Sequence, residues 1–450
     1  MQDSRRAFIK KTMAASAAIS IGGILPGFSA KSYANILGSN ERIRTGIMGV
    51  NARGLALAAN FSKQKNCEVI YISDVDERAM DKCIDTVEKI QNKRPKAAPD
   101  FRKSLEDKSL DAFVIAAPDH WHAPAAILAC KAGKHVYVEK PCSHNPHEGE
   151  MLVAAARKYD RKVQMGSQRR SWPNIIAAIK EIQDGAIGRP YFAKGWYTNN
   201  RPSIGTGKKV EIPSWLNFDL WQGPAPRETY RDNILHYNWH WFWNWGTGEA
   251  LNNGTHMVDL MRWGLGVDYP TSVRSSGGRY RYQDDWQTPD TQVITWEFPN
   301  HTFMEWEARS CNGRHVEGSS VGAIIYGEKG TVEMEIAGGN SYRLYDLNNK
   351  LLKEVKNAVT IDARNVVDPS NSLDALHFQN FFDGIRKGTP LNAEILIGHQ
   401  STLLCQLGNI AVRAGSISFQ TDSKTGHIIG NEEAAKYWRR TYEPGWEPVV

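Results

Sequence analysis

The chain has 450 residues, 41% hydrophobic and 23% charged, and 55 Lys and Arg against 49 Asp and Glu give it a net charge of +6. That length and apolar content suffice for two domains with cores of their own, and no internal repeat or low-complexity tract interrupts them. No Lys/Arg block follows the first residues, so a nucleic-acid partner has little electrostatic support.

The amino terminus reads as an address. Ser4-Arg5-Arg6-Ala7-Phe8-Ile9-Lys10 has the form of a twin-arginine signal. The Ala-rich stretch that follows, Met13 to Leu25, is too short and too weakly apolar to span a membrane. Ser32-Tyr33-Ala34 is a small-residue cleavage site, so residues 1–34 are expected to be removed after passage through the twin-arginine machinery. The mature chain is then a periplasmic or secreted bacterial protein with no membrane span. Cleavage takes away Arg5, Arg6, Lys10, Lys11 and Lys31 together with Asp3, lowering the charge from +6 to +2. Six scattered cysteines, none in a C-x-x-C pair, fit neither a disulfide framework nor a zinc ribbon and read as buried thiols.

Ile43–Met48 is a short apolar strand that runs into Gly49-Val50-Asn51-Ala52-Arg53-Gly54, after which Leu55, Ala58, Ala59 and Phe61 mark a helix. This strand–turn–helix carries G-x-N-x-R-G where a dinucleotide-binding turn has G-x-G-x-x-G. Gly49 suits the tight turn and Gly54 the close packing of helix on strand. Asn51 stands where the middle glycine lets backbone approach a pyrophosphate, and Asn tolerates a left-handed backbone better than most residues. The next strand, Glu68–Ser73, ends in Asp74, placed to accept hydrogen bonds from ribose hydroxyls and to repel a 2′-phosphate. That favours NAD, with NADP an alternative because Arg53 and Arg78 lie close; the lesser reading of Asp74 is a cap for a helix over Asp76–Ile90. Strands at Leu110–Ala117, His135–Val138 and Lys162–Gly166 alternate with helices at Ala125–Ala132 and Pro146–Tyr159, which argues for a parallel sheet with right-handed crossovers. Glu139-Lys140-Pro141 falls at the carboxyl end of one of these strands, where such sheets place ligands.

Ala117-Pro118-Asp119-His120-Trp121-His122, Ala132–Pro141, Gly166-Ser167-Gln168, Trp221–Pro226 and Asn252-Asn253-Gly254-Thr255-His256-Met257-Val258-Asp259 together resemble the glucose–fructose oxidoreductase / inositol dehydrogenase / MocA (Gfo/Idh/MocA) family over essentially the whole mature chain. With the signal and the block His236–Trp243, the chain looks like a secreted bacterial branch. The resemblance implies an α/β protein: a Rossmann domain over residues 35–168 with a doubly wound parallel sheet, then an α+β domain over 169–450 with an open, mostly antiparallel sheet used for substrate and assembly, so a homo-oligomer is expected. Strands at Val293–Phe298, Thr302–Glu307, Ala323–Tyr326 and Thr331–Ile336 agree, with helices from Leu373 and over Gly398–Gly408. The cofactor site is then Gly49, Asn51, Arg53, Gly54, Asp74, Pro118, His122, Glu139, Lys140 and Gln168. Family dehydrogenases use the E-K-P lysine with an Asp and a His spaced D-x-x-x-H, and the matching positions here are Lys140, Asn252 and His256. Asn252 departs from that pattern, since an amide is neither a base nor a counter-charge for lysine. His256 is therefore read as proton acceptor, Lys140 as the partner of the substrate oxygen and Asn252 as an orienting group. Asp259 either fixes the imidazole tautomer or contacts backbone.

The aromatic block Trp239, Trp241, Phe242, Trp243 and Trp245 is partly core, yet flat rings with polar neighbours also stack on sugars. Arg169, Trp172, His236, Trp239, His240 and Trp243 are accordingly the substrate-cleft candidates. His236 and His240 are four apart, but no nearby Glu or Cys completes a ligand set, so no metal is assigned. Three functions compete. The first is an exported oxidoreductase acting on a sugar or glycoside hydroxyl with a tightly held cofactor. The second is a glycoside hydrolase or lyase using transient oxidation and elimination. The third is a non-catalytic sugar-binding protein.

Overall fold

A computed structural model describes residues 42–335, 340–356 and 372–450. The expected signal over residues 1–34 and the expected strand end at Ile336 lie outside them. Six parallel strands form the first sheet: β1 (Ile43–Met48), β2 (Cys67–Ser73), β3 (Lys96–Ala97), β4 (Ala112–Ile115), β5 (His135–Val138) and β6 (Val163–Met165). Their order, β3-β2-β1-β4-β5-β6, is that of a doubly wound dinucleotide-binding sheet. β4 is buried at every position, as a strand covered on both faces must be, which is why it reads as an unbroken apolar run. The reversal of strand order between β1 and β4 opens a crevice at the carboxyl ends of β1, β4 and β5, and the Glu139-Lys140-Pro141 turn leaves β5 there.

Two boundaries differ from the sequence reading. The helix expected over Ala125–Ala132 begins at Asp119 and accommodates Pro124, so His120, Trp121 and His122 lie on a helix rather than in a loop. Asp76, not Asp74, caps the helix Glu77–Gln91, accepting the amides of Arg78 and Ala79.

The second sheet has ten strands in the order β14-β13-β12-β11-β7-β10-β9-β8-β15-β16. They are β7 (Pro190–Thr198), β8 (Ser272–Gly278), β9 (Thr291–Phe298), β10 (Thr302–Arg309), β11 (Val321–Gly327), β12 (Gly330–Glu335), β13 (Ser341–Asp346), β14 (Leu351–Val355), β15 (Ser418–Thr421) and β16 (Ile428–Ile429). All neighbours are antiparallel except β7 and β10. β10 alternates buried and half-buried residues, so one face meets helices Gly254–Leu265 and Ile395–Arg413. The other face is half-open and carries Phe192 stacked between Phe303 and Tyr326 at 5.5 and 5.1 Å.

The chain does not keep the halves apart. Helix Ser372–Lys387, far along in sequence, returns to the first sheet, where Phe378 and Phe382 pack on Phe61 at 4.6 and 5.4 Å and Phe378 meets Tyr137. The cysteines are free thiols, five of them buried and Cys67 half-buried.

Several interior histidines give the fold a pH signature. Burial pushes His120 down to about 3 and His377 and His399 to about 4. In the unfolded chain these rings gain protons near their ordinary value of 6.5. Their contribution is thus fully present above about pH 6.5 and is lost as pH falls toward the folded values. Unfolding scans at successive pH are expected to show the midpoint descending from about pH 6.5 to about pH 4. A midpoint that stays level over that window would mean these rings are charged in the fold.

Candidate functional site

The turn after β1 is shaped by two glycines. Gly49 has φ +79°, and a Cβ there would sit 2.4 Å from the Ala117 backbone nitrogen. A Cβ on Gly54 would lie 1.8 Å from the Gly49 carbonyl oxygen, so only glycine lets the helix Arg53–Lys63 start this close to the strand. The residue at the helix cap, Ala52, supplies no side-chain acceptor, and no acidic residue occupies the first turn. Uncapped amides at a helix start beside a glycine cradle fit a pyrophosphate. Asn51 is exposed and lies outside the left-handed region, so the turn closes without the backbone freedom expected to matter there.

At the end of β2, Asp74 accepts the Val50 amide at 2.6 Å and the Asp76 amide at 2.9 Å, which ties the second strand to the glycine turn. Burial raises its pKa, while both amides favour the carboxylate. Neither nearby arginine is free for a 2′-phosphate. Arg53 donates to Glu139 and Asp374, each at 2.9 Å, and Arg78 grips Asp76 while stacking on Trp215 at 3.3 Å. The residues present therefore fit NAD, and both arginines already hold carboxylates.

Glu139 is a hub: it takes Arg53, Gln168 Nε2 at 3.0 Å and the Lys140 amide at 3.3 Å. Gly166 faces it so closely that a Cβ would stand 2.7 Å from Oε2. His122 is turned away from the crevice, its ring nitrogens each 2.6 Å from a carbonyl oxygen, those of Pro141 and Ala117. From the helix it thus ties Ala117, just past the end of β4, to the Glu-Lys-Pro turn.

Lys140 and Asn252 meet directly. Lys140 Nζ donates to the Asn252 carbonyl at 2.6 Å and to its Oδ1 at 3.1 Å, leaving its third proton for another acceptor. Burial lowers the lysine pKa, against Glu139, Asp119 and Glu249, which raise it. The Asn252 amide is itself held, because Nδ2 donates to Glu249 Oε1 at 3.2 Å. Glu249 is 2% exposed and also takes Arg201 at 2.9 Å, Asn253, and Ser310 Oγ at 3.2 Å. The carboxylate absent at position 252 thus stands one helical turn back and reaches Lys140 through an amide. The sequence reading missed it, although Glu249 and Asn252 are three apart and share a helix face.

His256 is buried, its Nδ1 has no partner, and burial together with the positive charges of Arg169, Lys140 and Arg53 holds its pKa well below 6.5. The ring is thus held neutral, with Nδ1 left without a hydrogen-bond partner. Asp259 does not serve it: both its oxygens take Arg170 Nε, at 2.8 and 3.0 Å, and Ser401 Oγ donates to Oδ1 at 2.6 Å. Neither role expected for Asp259 is the one it has. Arg169 has a buried Nε without a partner and lies over Trp172 at 5.2 Å, and burial pushes it down to about 10.

The aromatic block divides. Trp241, Phe242 and Trp245 are core, with Trp241 stacked on Trp286 at 3.9 Å. Trp239 is half-buried and stacks on His240 at 3.6 Å; His240 is close enough to Lys140 and Arg201 for their charges to oppose its protonation, and burial pushes it down to about 3. Trp243 lines a different cavity, beside Arg413. His236 Nε2 lies 2.8 Å from Asp76 Oδ2, at the nucleotide edge, and His240 Nδ1 faces the Tyr237 carbonyl at 2.6 Å, so the two do not converge.

A glycine cradle, an acidic strand end and a lysine–amide–histidine group at one crevice define a two-domain dinucleotide-binding protein of the oxidoreductase type. Residues 43–167 match the oxidoreductase family's NAD-binding Rossmann fold, and residues 211–408 match the same family's C-terminal alpha/beta domain. The chain belongs to the Gfo/Idh/MocA oxidoreductase family.

Among curated relatives, it is 26% identical over 253 residues to a glycosyl hydrolase family 109 protein of Saccharopolyspora erythraea, covering 51% of this chain and 55% of that one. It is 30% identical over 156 residues to the uncharacterized oxidoreductase YrbE of Bacillus subtilis, covering 34% and 44%. The chain thus spans about half the length of the curated relatives it matches. The fold is shared with levoglucosan dehydrogenase in complex with NADH and levoglucosan, at TM-score 0.62 and 17% identity, over 84% of this chain and 99% of that one. It is shared equally with aldose-aldose oxidoreductase of Caulobacter crescentus, at TM-score 0.64 and 17% identity over the same shares.

Proposed function

We propose that the protein is an exported, NAD-dependent oxidoreductase that transfers hydride between a tightly held cofactor and a hydroxyl-bearing carbon of a sugar or glycoside. The observation that carries this reading is the pairing of Lys140, held by Asn252, with a neutral, partnerless His256 at the carboxyl end of β5. Bound NAD supplies the hydride acceptor. His256 takes the hydroxyl proton at its ring nitrogen, and the remaining proton of Lys140 Nζ steadies the oxygen as it becomes a carbonyl. Arg169 and the exposed part of Trp239 lie on hand for the ring and its other hydroxyls. The twin-arginine sequence motivates both the export and the tight cofactor, since NADH released outside the cytoplasm is lost to the cell. The half-open strip of Phe192, Phe303 and Tyr326 supports self-association through the second sheet.

Protein purified from the exported fraction, denatured and analysed by mass spectrometry, is expected to release about one NAD(H) per chain. Empty protein that also fails to bind added NAD(H) overturns the proposal. A second reading, a glycoside hydrolase that oxidises and re-reduces its substrate within one cycle, is favoured by the likeness to glycosyl hydrolase family 109 proteins. Cleavage of a chromophoric glycoside with no net NADH would select it over a dehydrogenase.

A further inference from the structure

A cavity of about 470 Å³ lies between the end of helix Ile395–Arg413, the carboxyl-terminal tail and the turn that follows Lys140. Lys140, Asn252, His256 and Arg169 do not line it. Four cationic side chains, Arg413, Lys436, Arg439 and Arg440, and one carboxylate, Glu228, do. Lys436 pairs with Glu433. Among the described residues, Arg413 and Arg440 have no carboxylate at ion-pair distance. Arg413 is packed over Trp243 at 4.7 Å and Tyr437 at 4.2 Å, and Arg440 donates Nη2 to the Asn244 carbonyl at 3.0 Å while its buried Nη1 has no partner.

Two further residues of its wall each carry a buried polar atom without a partner. Gln406, 3% exposed, gives Nε2 to the Ser143 carbonyl at 3.0 Å. A carbonyl requires a donor, so the orphaned Oε1 is an acceptor. His144 places Nε2 3.0 Å from the Trp243 carbonyl, which makes Nε2 the N–H and leaves the partnerless Nδ1 as a second acceptor. The wall therefore asks for two hydroxyl donors and one anion. Water would satisfy the acceptors but brings no charge to the exposed Arg413 or to the half-buried Arg440, which feels the buried Glu148 carboxylate yet keeps an unpartnered Nη1.

We propose that this cavity binds an anionic sugar, ring hydroxyls plus one carboxylate or phosphate group, at a site separate from that of hydride transfer. The hydroxyls donate to Gln406 Oε1 and His144 Nδ1, and the anionic group takes Arg440 Nη1 with Arg413 beside it. Charge-assisted contacts of this kind are the strong ones, so losing one weakens binding by about tenfold or more.

Calorimetric titration of the purified full chain with glucuronate, glucose 6-phosphate and glucose tests the site. Saturable binding of one of the anions and none of glucose is expected, with the tighter of the two naming the anionic group. Binding is expected to weaken about tenfold in Arg440→Gln and in Arg413→Gln, two changes on separate elements, and to survive Lys140→Met. Arg440→Lys, which keeps the charge, is expected to retain part of the affinity and serves if the glutamine variants unfold. Absence of saturable anion binding, equal binding of glucose, or affinity that ignores both arginines and vanishes with Lys140 overturns the proposal. Because the titration uses no redox readout, its failure is distinct from failure of the oxidoreductase reading.

Discussion

Replacing Lys140 by Met is expected to lower kcat about 10²- to 10³-fold with little change in KM. The thioether chain fills the space of the lysine stem but removes the donor aimed at the developing oxygen, and one such donor contributes about 3–4 kcal/mol in the transition state. His256→Ala is expected to lower kcat within the 10²- to 10⁴-fold range typical of general base catalysis. The assay is turnover of a sugar of the proposed substrate class, followed by NADH absorbance. The pH profile supplies an independent sign. His256 must be neutral to accept a proton, and its pKa is held well below 6.5, so kcat/KM should stay level through neutrality and fall only well below that value. Lys140 must be charged, and burial lowers it from 10.5, so the alkaline limb should come earlier than for a free lysine. An acid limb centred at or above about 6.5 would remove His256 as the acceptor.

Much of the frame was legible because it rests on local rules. β4 and β5 are continuous apolar runs, and a run buried on both faces of a parallel sheet has no other form. Gly49 and Gly54 were readable because glycine alone fits the turn they make. The carboxyl end of β5 follows from the strand order, and Lys140 follows from it. What sequence could not supply were partnerships between distant segments. Arg53 looked available for a phosphate until Asp374, 321 positions away, claimed it. His122 looked like a cofactor residue, yet its ring spans two carbonyls of the loops it joins. The aromatic block carried no period that separates Trp241, which packs on Trp286, from its half-exposed neighbours. Glu249 was passed over because acidic residues are read as solvated unless a partner is in view, and Arg201 lies 48 positions away.

That carboxylate explains why position 252 is an asparagine, and the explanation can be tested by a cycle of variants. Asn252→Asp alone would put an anion where Nδ2 now donates to Glu249 Oε1 at 3.2 Å. Two carboxylates at that separation do not both ionise, so one takes up a proton and no charge is gained beside Lys140. Glu249→Gln alone leaves Arg201, whose side chain is 14% exposed, without its counter-ion. Breaking a buried pair on one side costs about 3–5 kcal/mol, so a marked drop in Tm is expected. In Asn252→Asp/Glu249→Gln the repulsion is gone and a single carboxylate stands at Lys140. The double variant should therefore lose less than the two single losses together, by about 1–2 kcal/mol of coupling in denaturant unfolding. It should also recover turnover that neither single variant retains. Strictly additive losses would mean that Glu249 and Asn252 act independently, and that the amide does not carry the carboxylate's influence to the lysine.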